Sequence, residues 1–574
     1  MFDKSRRRFV HGPATSAPIS RRRFVQGVAT TAAAAAGVRL AGAGALAALG
    51  APSTLRAAPA DDGGRVLHGP EIDLSIAELP INLTGVRRVA TAVNGGVPGP
   101  LLRWREGDDV VVRVTNRLSA PTSIHWHGVI VPADMDGVPG VSFKGIAPGE
   151  TFAYRFRAKQ SGTYWYHSHS RFQEQIGLYG PLLITPRNGE RHAADREHVI
   201  LLSDWTDIDP EHLYRTLKVR SGYFNFGRRT VSDFVSDARA RGLSNTLSER
   251  RMWGEMRMDP TDLADVSAYA YTFLMNGVTP SGNWTGLFER GERVRLRIIN
   301  GSSMTYFDVR IPGLKMSVVA ADGQDVEPVS VDEFRIGAAE VYDVIVEPKE
   351  ERAYAIFAQS VDRSGYAVGT LAPKSGMKAE VPSLDARPLL TMTDMAMGME
   401  GAAPAALHSP IVDSIAAQPE SRLDDPGVGL RDDDRRALTY ADLHTIGGPL
   451  DSREPGREIV LHLTGHMARF VWSFDGQKFS EAEPLRFRHG ERLTLVLVND
   501  SMMLHPIHLH GMWGEIYTPE GQFLARKHTI TVQPGQRLAY RVTADALGTW
   551  AFHCHLLYHM EAGMFREVIV EDAS

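Results

Sequence analysis

From about residue 60 onward, apolar and polar positions alternate in short runs: "VVVRVTN" (110–116), "RVRLRIIN" (293–300), "RLTLVLVN" (492–499) and "REVIV" (566–570). A period of two sends successive side chains to opposite faces of an extended chain, so each run reads as a β-strand. The runs are rich in Val, Ile, Tyr and Phe and are bounded by turn-forming Gly, Pro, Asn or Asp. This pattern predicts an all-β protein of the sandwich or barrel kind. At 574 residues the chain exceeds one core, so several domains are expected.

One unit recurs. "GDDVVVRVTNRLSAPTSIHWHG" begins at Gly107, "GERVRLRIINGSSMTYFDVRIPG" at Gly291 and "GERLTLVLVNDSMMLHPIHLHG" at Gly490. In each, an asparagine lies nine positions on (Asn116, Asn300, Asn499), and nine further come His125, Val309 and His508. Two beyond those stand His127, Ile311 and His510. A second repeat aligns without gaps from Pro148 and Pro534, placing His167 on His553, His169 on His555, and Ser168 on Cys554. Three homologous β-sandwich domains follow, at 61–190, 191–375 and 456–574. The 376–455 connector is rich in Pro, Asp and Gly, with room for short helices in "LTYADLHTI". The middle domain lacks both histidine pairs.

The first 60 residues read differently. "SRRRFVQG" (20–27) precedes a weakly apolar Ala/Gly-rich run, and "APA" (58–60) offers a small-residue cleavage site. This resembles a twin-arginine signal, which implies export of the folded protein to the periplasm by the twin-arginine machinery. A near-copy, "SRRRFVHG" (5–12), has no apolar run behind it. Beyond residue 60 stand 54 Lys and Arg against 67 Asp and Glu, a net charge of −13. That balance disfavours nucleic acid as a partner and mildly favours cations. The single cysteine, Cys554, excludes an intrachain disulfide.

Ten of the 21 histidines fall in four clusters: "HWH" (His125, His127), "HSH" (His167, His169), "HPIHLH" (His505, His508, His510) and "HCHLLYH" (His553, His555, His559). On a strand, each H-x-H presents two imidazoles to one side. Four pairs, two from each of two related domains, can enclose eight nitrogens, enough for about three metal ions. Cys554 points away from its neighbours, and with His505, His559 and Met564 it supplies the ligand set that selects blue copper. Structural zinc wants one closed tetrahedral set, typically richer in cysteine.

The four motifs resemble those of multicopper oxidases, three-cupredoxin-domain enzymes that couple substrate oxidation to reduction of O2 to water. "MDGVPGVSFKGIAPGE", "SGTYWYHSHSRFQEQIGLYGPL", "HLTGHMARFVWSFDG" and "HCHLLYHMEAGMFREV" are similar to the bacterial copper-resistance oxidases of the CopA/PcoA kind. The resemblance implies cupredoxin-like Greek-key domains and four copper ions. It assigns His505, Cys554, His559 and Met564 to a type 1 copper, and His125 and His508 to a type 2 copper. His127, His167, His169, His510, His553 and His555 would hold a type 3 pair. Cys554 would receive electrons and pass them through its flanking histidines, and the type 1 imidazoles could reach the surface or lie under a lid.

Proton delivery needs an acid near the cluster. Asp136, eleven residues after His125, matches the family's position, though an Asp before Gly137 also suits a turn. A second acid carried by relatives in the Cys–His motif is replaced here by Leu557 or Met560, with Glu561 only a neighbour. "MTDMAMGMEG" (392–401) spaces four methionines closely, and thioethers suit Cu(I). The implied donors are Cu(I) and phenols, and a monomer is expected. A copper-sequestering protein and a dedicated phenol oxidase are the competing readings.

Overall fold

The computed structural model describes residues 66–397, 409–431 and 433–572; the export segment and Met399 lie outside them. Six sheets form three sandwiches. The first pairs a four-stranded sheet, ordered Arg87–Val93, Glu71–Asn82, Asp109–Asn116, Thr151–Arg157, with a five-stranded one. The latter runs Val66–His68, Leu101–Arg105, Tyr179–Thr185, Gly162–His167, His125–His127. The alternation seen in sequence is the burial pattern: along Asp109–Asn116, Val110, Val112 and Val114 are buried and the residues between them are more exposed.

The second and third sandwiches each pair a six-stranded with a five-stranded sheet, and their strand orders match. In the third, the five-stranded sheet runs Leu485–Arg488, Phe565–Glu571, Gly548–Cys554, His505–Leu509, Thr529–Val532. The repeated asparagines explain why the unit is preserved. Asn116, Asn300 and Asn499 are fully buried, and each amide donates to two carbonyls. The acceptors are Ala120 and Ile146, Thr305 and Ile336, and Met503 and Val532. Each asparagine also accepts from the N–H two residues on, at Leu118, Ser302 and Ser501. This triple bond set fixes the loop leading into the strand that carries the histidines in the first and third copies.

Between the strands Arg196–Thr206 and Tyr271–Met275 the middle domain inserts helices at Pro210–Val219, Val231–Arg241 and Leu243–Met256, which the strand pattern does not announce. Local signals define their starts. Asp209 caps the first helix by accepting from Glu211 N–H, with Pro210 at its first position. Thr230 and Asp233 form a capping box on the second. Within 376–455 the described residues hold no strand, and a single helical turn at Tyr440–Asp442 lies in the expected stretch. Among the described residues no helix is long and apolar enough to cross a membrane.

Candidate metal centre

His125 and His127 lie on one short strand, register-paired with His167 and Trp165 of the strand beside it. In the third domain His508 pairs with His553 in the same way, and His510 and His555 follow just past the strand ends. The two domains bring these eight rings together. All are at least nine-tenths buried. Nitrogens of His125, His169 and His510 lie within 4.8 Å of one another, as do those of His125, His127 and His508, and those of His127, His167 and His555. The middle copy's Val309 and Ile311 are core residues instead.

Hydrogen bonds at the outer nitrogens decide which way each ring faces. His510 Nδ1 lies 2.9 Å from Asp136 Oδ2, and His553 Nδ1 lies 3.0 Å from the Cys554 carbonyl. His125 Nδ1 lies 2.8 Å from the Asp136 carbonyl, His508 Nδ1 2.6 Å from the His528 carbonyl, and His167 Nδ1 2.5 Å from Glu174 Oε2. Only N–H groups satisfy these acceptors, so each of the five rings turns a lone pair inward at Nε2. His510 Nε2 and His553 Nε2 face one another at 3.0 Å, and His167 Nε2 and His555 Nε2 at 3.4 Å. The inner atoms His125 Nε2, His127 Nδ1, His169 Nε2 and His508 Nε2 are buried without a protein partner. Protonation does not relieve this crowding, because burial pushes His167, His169, His508, His510 and His555 well below the usual imidazole range. His553 is pushed down to about 4, also by burial. Neutral imidazoles with converging lone pairs are what a cation cluster requires.

A second centre lies on the other face of the same strand. Cys554 Sγ is 3.4 Å from His505 Nδ1 and 3.8 Å from His559 Nδ1, and the two Nδ1 atoms are 3.3 Å apart. Ser501 Oγ holds His505 Nε2 at 2.7 Å, and Asp265 Oδ2 holds His559 Nε2 at 2.6 Å, leaving the Nδ1 lone pairs to converge on the sulfur. Burial pushes the thiol far above its usual range, so only a cation would make the thiolate the stable form here. Met564 is fully buried in the same core cluster, and its carbonyl accepts from Cys554 N–H at 3.2 Å.

The first domain shows what the slot becomes without a metal. Thr122 and Ser168 stand where the repeat has His505 and Cys554, and Gln173, six residues after His167, occupies the place of His559. Gln173 Oε1 accepts from Thr122 Oγ1 at 2.7 Å and from Ser168 Oγ at 3.1 Å. A closed set of neutral hydrogen bonds replaces the ligand set.

Family models described as multicopper oxidase match residues 76–189, 196–376 and 452–574. The copper resistance protein A of Pseudomonas syringae pv. tomato is 54% identical over 93% of this chain and 98% of its own length. That of Escherichia coli is 55% identical over 88% of this chain and 93% of its own.

The chain belongs to the multicopper oxidase family.

The fold agrees: the crystal structure of Fet3p, a multicopper oxidase that functions in iron import, superposes with a TM-score of 0.63 at 20% identity, covering 88% of this chain and 90% of that one. As a multicopper oxidase the chain is an oxidoreductase with copper cofactors, and both centres fit copper in donor type and in the direction of their lone pairs.

The structure decides one open alternative and supplies residues that sequence reasoning missed. The imidazoles of the thiol centre do not reach the surface: His505 and His559 are fully buried. Trp472 stacks on His559 at 3.9 Å between ring centroids, and the helical insertion adds Asp265 and anchors Lys218 Nζ on the Phe470 carbonyl. The insertion gave no periodic signal of this role. Glu174, inside the motif "FQEQ", is buried against His167 and keeps Oε1 without a partner. Leu557 is buried, Met560 is half-buried, and Glu561 pairs with Arg171 at 2.6 Å, so the Cys–His segment brings no acid to the cluster. His528 is a ninth ring at the cluster's edge, with its centroid 4.8 Å from that of His127. Of the methionine tract, Met395 is core, while Met392 and Met397 pack half-buried against it.

Proposed function

We propose that this multicopper oxidase holds a type 1 copper at His505, Cys554, His559 and Met564 and a three-copper cluster at the eight paired histidines. Within the cluster, His125 and His508 would hold the type 2 ion, with His127, His167 and His555 on one type 3 ion and His169, His510 and His553 on the other. The observation that carries this reading is the pinning of outer nitrogens, which leaves lone pairs opposed at 3.0 Å between His510 and His553. Bound copper supplies one-electron redox chemistry and the four-electron reduction of O2 to water. The protein supplies the rest. Cys554 is covalently joined to His553 and His555, so its backbone links the two centres through bonds. Asp136 lies 2.9 Å from His510 Nδ1 and 3.3 Å from His125 Nδ1, where it holds both rings and sets a carboxyl beside the cluster. Glu174 does the same at His167 from the opposite domain face. Trp472 and Phe470 keep water from His559.

The donor we favour is Cu(I), with phenols oxidised more slowly, in an exported, periplasmic, monomeric protein serving copper resistance. Two relatives carry copper resistance in their names. Asp265, 2.6 Å from His559 Nε2, sets a carboxyl beside the type 1 ligands, which favours a cationic donor over a neutral one. The test is to load the protein with copper and measure O2 uptake with Cu(I) and with a phenol, in wild type and Cys554→Ser. Wild type should bind four coppers, consume O2 with both donors, and lose its blue Cys–Cu(II) absorbance in the variant. Four bound coppers without O2 uptake would leave the sequestering reading standing. Uptake with phenol alone would make it a dedicated phenol oxidase.

A further inference from the structure

The middle domain supplies no ligand, yet one of its side chains sits under ligands from both of the others. Asp322 is fully buried in the turn between the strands Met316–Ala321 and Gln324–Val331. Its Oδ1 accepts from Val341 N–H at 3.0 Å, which fixes the carboxylate on its own domain. Its Oδ2 accepts from the third domain, from His528 N–H and Thr529 N–H, each at 3.2 Å, and forms an ion pair with Lys527 Nζ at 3.1 Å. The other groups of those two residues face the cluster. The His528 carbonyl accepts from His508 Nδ1 at 2.6 Å, and Thr529 Oγ1 lies 3.0 Å from His127 Nε2. His508 and His127 come from different domains, and each turns its remaining nitrogen inward without a protein partner.

The turn has little freedom to shift. A Cβ on Gly323 would lie 2.5 Å from the Tyr164 ring, and one on Gly162 would lie 2.3 Å from the Gly323 carbonyl, so the turn is pressed against the first domain. Lys527 Nζ also lies 3.2 Å from Glu340 Oε1, so one buried ammonium bridges two carboxylates.

We propose that Asp322 is a positioning residue through which the ligand-free middle domain sets the orientation of the type 2 ligand His508 and of the type 3 ligand His127 beside it, whose inner nitrogens lie within 4.8 Å of each other. This rests on the copper assignment proposed above. Partners of this kind typically change metal affinity 10- to 100-fold when removed, about the scale expected here.

The test uses copper-loaded full-length protein with three readouts: bound copper per chain, the type 2 electron paramagnetic resonance signal, and blue absorbance from the Cys554 centre. Asp322→Ala should keep the blue absorbance while its type 2 signal shifts or is lost, with about 10-fold or weaker retention of that ion. Thr529→Val, which keeps shape but removes the hydroxyl bonded to His127, should lower bound copper per chain and shift the type 2 signal of the adjoining ion, with the blue absorbance kept and the Asp322 charge cluster untouched. Thr529→Ser should restore the wild-type signal. An unchanged type 2 signal in both Asp322→Ala and Thr529→Val overturns the inference, as does loss of type 1 and type 2 signals together in Thr529→Val. A wild type that binds copper without any type 2 signal would instead overturn the copper assignment on which the inference depends.

Discussion

His510 and His553 aim Nε2 at Nε2 across 3.0 Å while each donates its Nδ1 hydrogen elsewhere, to Asp136 and to the Cys554 carbonyl. Two lone pairs at that distance repel, and burial keeps both rings from relieving the repulsion by protonation near neutral pH. The protein therefore stores an unfavourable contact that a cation converts into an attraction. Copper loading should raise thermal stability, by about 4 kcal/mol when free copper stands near 1,000 times the dissociation constant. Calorimetry of depleted and reloaded protein measures this, and equal unfolding temperatures would contradict it.

Two acids approach the cluster from different directions, and both should act after electrons have arrived. Asp136→Asn and Glu174→Gln keep a hydrogen-bond acceptor but remove the titratable carboxyl beside His510 and His167. Each should lower kcat about 10-fold or more with Cu(I) and phenol alike, leaving KM for either donor unchanged. Steady-state O2 uptake reports both constants. A rise in KM for one donor only would place the residue at the donor site instead.

The strand-forming runs, the repeat and all four histidine motifs were legible because strand periodicity and i, i+2 spacing are local properties that the fold leaves intact. Thus His125 and His127 share a strand face, and Cys554 faces away from His553 and His555, as the spacing required. Glu174, Asp265 and Asp322 were not legible for the opposite reason. Each touches a ligand, or a residue bonded to one, that is distant in sequence, and nothing in its own neighbourhood distinguishes it from an ordinary acid. The burial of His505 and His559 was not legible because the side chains that cover them, Trp472 and Phe470 of the third domain and Asp265 of the middle one, are distant from them in sequence. Methionine spacing is a weaker signal of the same local kind, because it fits a packing role as well as a copper role: Met395 is a core side chain.

Stability should show a specific acid dependence at Asp308, which is fully buried in the strand Phe307–Arg310. Arg335 bonds it at 2.8 and 2.9 Å, and Arg363 lies 2.6 Å away. Burial alone would raise this carboxyl, but the two guanidiniums outweigh it and hold the group below its usual range. A depressed carboxylate contributes stability that is present above the unfolded value and lost as pH falls through the folded one. Asp308→Asn, which strands two buried guanidiniums, should cost about 3–5 kcal/mol at pH 7. That gap should narrow as pH drops below about 4. Denaturant unfolding of both proteins across this range checks the sign, and a gap that widens on acidification would refute it.

Asp265 should separate the donors that Asp136 treats alike. Its Oδ2 holds His559 Nε2 at 2.6 Å, while its other oxygen is buried without a partner. Burial pushes the carboxyl up to about 7, so near neutral pH it is only partly ionised in the bare protein. A charged acceptor makes His559 more basic and favours the oxidised state of a metal it binds. Asp265→Asn retains an acceptor but not the charge, so the reduction potential of the blue centre should rise by tens of millivolts. That change alone would affect every donor. Cu(I), however, also gains electrostatic attraction from the acid, so its kcat/KM should fall about 10-fold or more while that of a neutral phenol changes less. Redox titration reads the first effect and paired O2-uptake assays read the second. Equal losses for Cu(I) and phenol would reduce Asp265 to a support for the His559 ring and remove the structural reason for preferring a cuprous donor.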